Sequence, residues 1–358
     1  MAALPPYAST GQRVWYYSFR VICGLIFVFL ITPILIILPL SFNAEPYFSF
    51  TKEMLAFERE AFSTRWYWDI LKNGMANPDA PATLGGFLGW LWDSIWMSAL
   101  QFVQWIVPFW DVDPGLEPPP SFWTDMWENA QWIRAVKNSF FIGTLATLLS
   151  TSLGTLAAIG LSRPEMPYSK VIMSILISPM IIPLVIIGAS MFAFFSLDFN
   201  PAHWFSDGEY SQAEKWQLSY TYAGLILAHA ALGTPFVIIT VTATLVGFDK
   251  SLVRAAASLG ADPVRTFFQV QMPLILPGVI SGALFAFITS FDEVVVVLQM
   301  ATAEQRTIPR QMFSGIREQI SPTILAVATI LVIISVLLLT TVELLRRRSE
   351  RLRGLSPG

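Results

Sequence analysis

The chain alternates long apolar runs with short polar interruptions. Five runs, at about 138–161, 171–197, 219–247, 274–300 and 322–345, are long enough to cross a hydrocarbon core roughly 30 Å thick as helices rising about 1.5 Å per residue. Another, "VICGLIFVFLITPILIILPL", begins at Val21 behind Arg13 and Arg20. At about 20 residues it exceeds the apolar core of a cleaved signal peptide and reads as an uncleaved first span. Proline inside such runs predicts kinks, at Pro33 and Pro39 in the first, Pro179 and Pro183 in the third and Pro235 in the fourth. The pattern therefore predicts an all-α integral membrane protein with six transmembrane helices and both termini on one side.

Charge orients the spans. The tail "ELLRRRSERLRG" follows the last run with five arginines, and Arg163 and Lys170 lie in the loop between the second and third runs. Both belong inside by the positive-inside rule. Arg306, Arg310 and Arg317 in the loop 301–320 argue the other way, and the arginine-rich tail outweighs them. The expected division is residues 1–42 as a cytoplasmic start and first span, 43–135 as an outer insertion, 136–345 as a five-span core and 346–358 as a basic cytoplasmic tail.

Ten of the 13 tryptophans fall between Trp66 and Trp132, in the insertion. Its stretch 84–110 is long enough to span, but Asp93, Gln101 and Gln104 interrupt it and tryptophan favours the headgroup level, so an interfacial or protein-packed helix is expected there. The proline-rich "DVDPGLEPPPS" reads as a linker.

Composition agrees with the pattern. The chain is 54% hydrophobic and 13% charged, where a soluble domain carries about 25% charged residues. Its net charge of -3 sits in loops and tails and suggests neither a nucleic-acid partner nor an acidic substrate. The single cysteine, Cys23, excludes an intrachain disulfide and a thiolate metal cluster. No metal-ligand set or nucleophile–base pair stands out, so an enzyme is not expected.

Between the fourth and fifth runs the chain interrupts itself with "LVRAAASLGADPVRTFFQVQMPLILPG". Asp249 is a suitable N-cap for a short helix, Gly260 suits a left-handed C-terminal position, and Asp262 with Pro263 opens a second short helix. Two such helices resemble a DNA-reading helix-turn-helix in isolation, but a place between membrane spans argues against that use. The alanines leave a thin helix face that another protein can approach closely.

This loop, at 248–273, resembles the coupling-loop signature of membrane-spanning subunits of binding-protein-dependent ABC importers: Glu-Ala-Ala, three residues, Gly, nine residues, then an aliphatic, any residue, Leu-Pro. Here the positions read Arg254, Ala255, Ala256, Gly260, Val270, Met272 and Pro273, with Pro277 beyond. Arg254 replaces the glutamate and Met272 the leucine. "PGVISGALFAFITSFDEVVVVLQM" further resembles the spermidine/putrescine branch, which commonly carries Ser-Phe-Asp-Glu in the fifth span. The insertion 43–135 has no counterpart in that pattern.

The resemblance implies a permease subunit in a bacterial inner membrane, paired in a heterodimer with a second permease subunit, above an ATPase dimer and beneath a periplasmic solute-binding protein. It implies docking of the ATPase on Arg254, Ala255, Ala256, Gly260, Asp262 and Pro273, and a polyamine or related organic cation as cargo. The chain contains no GxxxxGK[ST] phosphate loop, so it is expected to bind no cofactor itself, ATP and Mg being used by the ATPase. The alternatives are a permease for another small solute, or a proton-coupled secondary transporter.

Asp292 and Glu293 lie inside the fifth run, where each charge costs about 2.5 to 3.5 kcal/mol on insertion scales. Either they offer a counter-charge to a passing cation, with Phe287 and Phe291 at i, i+4 adding π faces, or they bond structurally to a partner subunit. Adjacent helical positions point about 100° apart, so the two acids are expected to have different surroundings. His229, at mid-span, is expected to make an interhelical hydrogen bond.

Overall fold

The computed structural model describes residues 9–106, 121–163, 165–200, 216–249, 251–318 and 321–352. The linker expected at 111–121 and the loop expected at 198–218 lie largely outside these residues, as do the first eight and last six positions. Helices are numbered along the chain. The described chain forms two compact units, residues 1–73 with 315–358, and residues 74–314. The expected insertion and permease core are thus each divided between units.

In the first unit α1 (Thr10–Leu40) begins with a reciprocal capping box, Ser9 accepting from the Gln12 backbone and Gln12 accepting from that of Ser9. Its most apolar stretch has no buried residue, so within this chain it is a helix for lipid or a neighbouring subunit. Pro33 and Pro39, where kinks were expected, lie inside this one helix of 31 residues. After the short α2 (Lys52–Leu55), α3 (Arg65–Lys72) packs on α15 (Thr323–Leu352), where the Thr323 hydroxyl donates to Asp69 at 2.6 Å. Buried Asn43 ties the intervening chain: its amide donates to the carbonyls of Tyr47 and Ser49, and its own carbonyl accepts from the Trp66 indole at 2.6 Å.

The second unit begins with α4 (Leu84–Ile106), the helix expected near 84–110, and α5 (Phe122–Asn129). Trp123 joins them, packing edge-on against Phe87 at 5.0 Å and donating its indole N–H to the Thr83 carbonyl. Asp125, on α5, accepts from the backbone N–H groups of Ala76 and Asn77 and from the Asn129 amide. Burial opposes its ionisation, yet these three donors outweigh burial and hold its pKa below the ordinary carboxylate value.

The centre is a three-helix packing of α6 (Gln131–Leu161), α9 (Tyr222–Val246) and α12 (Met272–Asp292). Small residues let the backbones approach. A Cβ on Gly233 would stand 2.8 Å from Ser150 Oγ and 3.0 Å from Ala286 Cβ, and one on Gly154 2.7 Å from Val237 Cβ. Polar pins cross the same contacts: the Ser150 hydroxyl donates to the Ala230 carbonyl, and His229 Nδ1 and Ser290 Oγ lie 2.8 Å apart. The interhelical bond expected of His229 is present.

Two runs expected to be continuous are broken. The third divides into α7 (Ser169–Ile177) with a 3-10 turn to Met180, and α8 (Leu184–Phe195), bent by 102° at Pro183. The fifth ends as α12 at Asp292 and resumes as α13 (Val295–Met300), which packs on α8. Among the described residues, four helices are long and apolar enough to cross a membrane, five if the bent pair counts as one span; α14 (Ile308–Glu318) precedes α15, which adds the shorter apolar stretch Thr323–Leu337. Six spans were expected.

Candidate functional site

The interrupting loop folds as two short helices. α10 (Ser251–Ser258) starts where the Asp249 carboxylate accepts both the backbone N–H and the hydroxyl of Ser251, bonds that hold the Asp249 pKa below its usual value. It ends in a Schellman motif, with Gly260 N–H to the Ala257 carbonyl and Ala261 N–H to the Ala256 carbonyl, each 3.0 Å. The motif requires a left-handed residue, and Gly260 has φ +81°. Asp262 then caps α11 (Pro263–Thr266), accepting from Arg265 N–H at 2.9 Å. One turn of π-helix, Phe267–Gln271, carries the chain into α12, whose first turn holds Pro273.

Arg254, Ala255, Gly260 and Asp262 are exposed and Ala256 is half-covered. Leu259 is 89% exposed beside them. A groove of about 510 Å³ opens under the loop, lined by residues including Leu156, Ile159, Val253, Ala257, Val264 and Phe268. The loop thus exposes Leu259 and its alanines between the charges of Arg254 and Asp262, with the groove at its base.

The second candidate lies at the break in the fifth run. Asp292 is the last residue of α12 and is exposed; Glu293 is buried, with extended backbone. Glu293 Oε1 accepts from the backbone N–H of Val295 at 2.7 Å and of Val296 at 2.9 Å, which caps the first turn of α13. The expectation of two acids on one continuous helix is corrected by this cap. Phe287 and Phe291 stack at 5.6 Å, and Phe140 from α6 joins them, 5.4 Å from Phe291 and 52% exposed.

Sequence reasoning brought Asp292, Phe287 and Phe291 to one place and missed Phe140. No spacing rule links position 140 to position 291; only the packing of α6 on α12 does. Nor does the structure bring the two candidates together. One is formed by the loop before α12, the other by the end of that helix, and its 21 residues separate them by about 30 Å.

The second unit is thus a bundle of apolar helices with an exposed loop before α12 and an acid-bearing break at the far end of that helix. Residues 150–353 match the family described as binding-protein-dependent transport system inner membrane component, and the chain belongs to that family, the permease subunits of ABC importers. It is 28% identical over 225 residues to the spermidine/putrescine transport system permease protein PotC of Haemophilus influenzae, covering 63% of this chain and 80% of that one. With the putrescine transport system permease protein PotI of Escherichia coli K12 it shares 29% over 215 residues, covering 58% and 72%. The fold resembles a bacterial ABC transporter that imports the acidic polysaccharide alginate, with a TM-score of 0.58 at 13% identity over 95% of this chain and 99% of that one. A second alginate transporter structure, in complex with an alginate-loaded periplasmic protein, superposes with a TM-score of 0.50 at 16% identity over 72% and 97%.

Proposed function

We propose that this subunit, with a second permease subunit, forms the pathway of an ATP-driven importer for spermidine, putrescine or a related organic cation. The observation that carries the cargo class is the end of α12. There an exposed carboxylate, Asp292, stands at the negative end of a 21-residue helix whose last turns also carry the stacked rings of Phe287 and Phe291, with Phe140 5.4 Å from Phe291. Helix C-termini, carboxylates and aromatic faces all favour positive charge. An anionic cargo such as alginate gains nothing from that set. The names of the related polyamine permeases support the same class.

In this reading the loop 248–273 seats in an ATPase subunit, where ATP and Mg are bound, and a soluble binding protein delivers solute at the opposite end of the bundle. Arg254, Ala255, Ala256, Gly260 and Asp262 form the seat, and Pro273 starts the helix that carries its movement toward Asp292. The membrane is the bacterial inner membrane, with both termini cytoplasmic. The experiment is ATP hydrolysis by the reconstituted four-subunit complex with its binding protein. Putrescine or spermidine should stimulate it and an alginate oligosaccharide should not; the converse would refute the cation assignment.

A further inference from the structure

Far from the coupling loop, a cleft of about 170 Å³ opens beside the first turns of α6, lined by Gln131, Arg134, Ala135, Ala303, Glu304, Arg306 and Gln311. From Arg134 to Ile159, at the docking groove, α6 advances about 38 Å, roughly a bilayer's thickness. The cleft therefore belongs to the face opposite the ATPase seat.

Its two arginines share the cleft with one acid, Glu304. Arg306 spends one N–H on Gln311 Oε1 at 3.3 Å, while its Nε is buried without a partner. Arg134 donates to the Glu128 carbonyl at 2.8 Å. Behind the cleft lining, Thr307 Oγ1 and Arg310 Nε are also buried without partners. Arg310 gives its Nη1 to the carbonyls of Ala301 and Thr302, and burial together with the neighbouring Arg306 charge lowers its pKa. What the cleft itself presents is the pair of guanidinium groups of Arg134 and Arg306, and a carboxylate is the group whose geometry pairs with them.

The frame is rigid. The Asn138 amide donates to the carbonyls of Glu304 and Arg306 at 2.7 and 3.0 Å. Ser139 Oγ accepts from Ile308 N–H at 2.8 Å, and Gln305 donates to the Tyr220 carbonyl at 2.9 Å. Arg306 is thus held in place before any ligand arrives. The volume admits a carboxylate group but is smaller than the roughly 300 Å³ at which small-molecule pockets begin. With two arginines against Glu304 alone, the cleft also disfavours an amine.

We propose that this cleft receives a carboxylate side chain of the solute-binding protein and so registers that protein over the pathway. The assignment rests on the importer reading above. It is tested with the complete transporter in nanodiscs, by measuring association of the purified binding protein at low salt. Arg306→Gln, in the loop, and Arg134→Gln, on α6, should each weaken association about tenfold, Arg306→Lys should recover part of the loss, and Glu304→Gln, which removes the opposing charge, should tighten it. A general distortion of the loop would weaken all four variants alike, and that result overturns the proposal, as does wild-type association by Arg306→Gln. Should the unaltered transporter fail to bind the protein at all, the importer reading itself falls and takes this assignment with it.

Discussion

Glu293 Oε1 lies 2.9 Å from the backbone nitrogen of Val296, accepting its N–H across the break between α12 and α13. The same oxygen accepts from Val295, so one buried carboxylate replaces the carbonyl partners that a continuous helix would have supplied. This relationship separates two acids that are adjacent in sequence: Glu293 serves the backbone, while Asp292 keeps its carboxylate exposed.

Glu293→Ala should therefore behave as the loss of a helix cap, costing about 1 to 2 kcal/mol with two buried N–H groups left open. Glu293→Gln retains an acceptor oxygen and should cost less. Thermal unfolding of the purified complex reads both, and an alanine variant as stable as wild type would contradict the capping role.

Gly260 permits a separate test of the coupling loop. At φ +81° an alanine is strained by about 1 kcal/mol, but an added Cβ meets no atom within 4 Å. Gly260→Trp should consequently leave the subunit inserted and lose ATPase association or coupling. Wild-type transport and solute-stimulated hydrolysis by that variant would remove the docking assignment.

The packing of α6, α9 and α12 makes a paired prediction. Gly233→Ala forces a Cβ against Ser150 and Ala286 and should destabilise by about 1 to 3 kcal/mol, whereas Gly160→Ala, with nothing within 4 Å, should be neutral or mildly stabilising. Equal unfolding temperatures for the two variants would mean that the helices do not approach this closely.

Asp125 links acid stability to the tie between residues 76–77 and α5. Because its folded pKa is lowered, its stabilisation is complete above about pH 4 and is lost as pH falls through the folded value. Asp125→Asn should flatten the acid limb of a melting-temperature profile taken between about pH 2 and pH 6. An unchanged limb would show that the three donors to Asp125 do not lower its pKa.

The sequence made the helical membrane class and the loop chemistry legible because both are local. Runs of about 20 apolar residues, the Asp262–Pro263 start and the glycine at 260 each carry their own physical requirement, and the caps found at those places follow from it. The breaks were harder to read. Pro183 signalled the bend in the third run, but nothing in "SFDEVVVV" signals that Glu293 will turn its side chain onto the following backbone. Hydropathy counts such a run as continuous. Phe140 and the cleft at Arg306 escaped for a related reason, since both depend on which helices pack together at distances along the chain that periodicity does not reach.

The central claim is that an exposed carboxylate at the end of α12 assists a cation through the bundle. The direct measurement is putrescine uptake by proteoliposomes containing the complete transporter, comparing wild type with Asp292→Asn at matched assembly. The amide preserves shape and removes the charge, so uptake should fall by about 5- to 150-fold, equivalent to about 1 to 3 kcal/mol of lost cation stabilisation, while putrescine binding to the isolated soluble protein stays unchanged. Wild-type uptake by a fully assembled Asp292→Asn transporter would contradict the account.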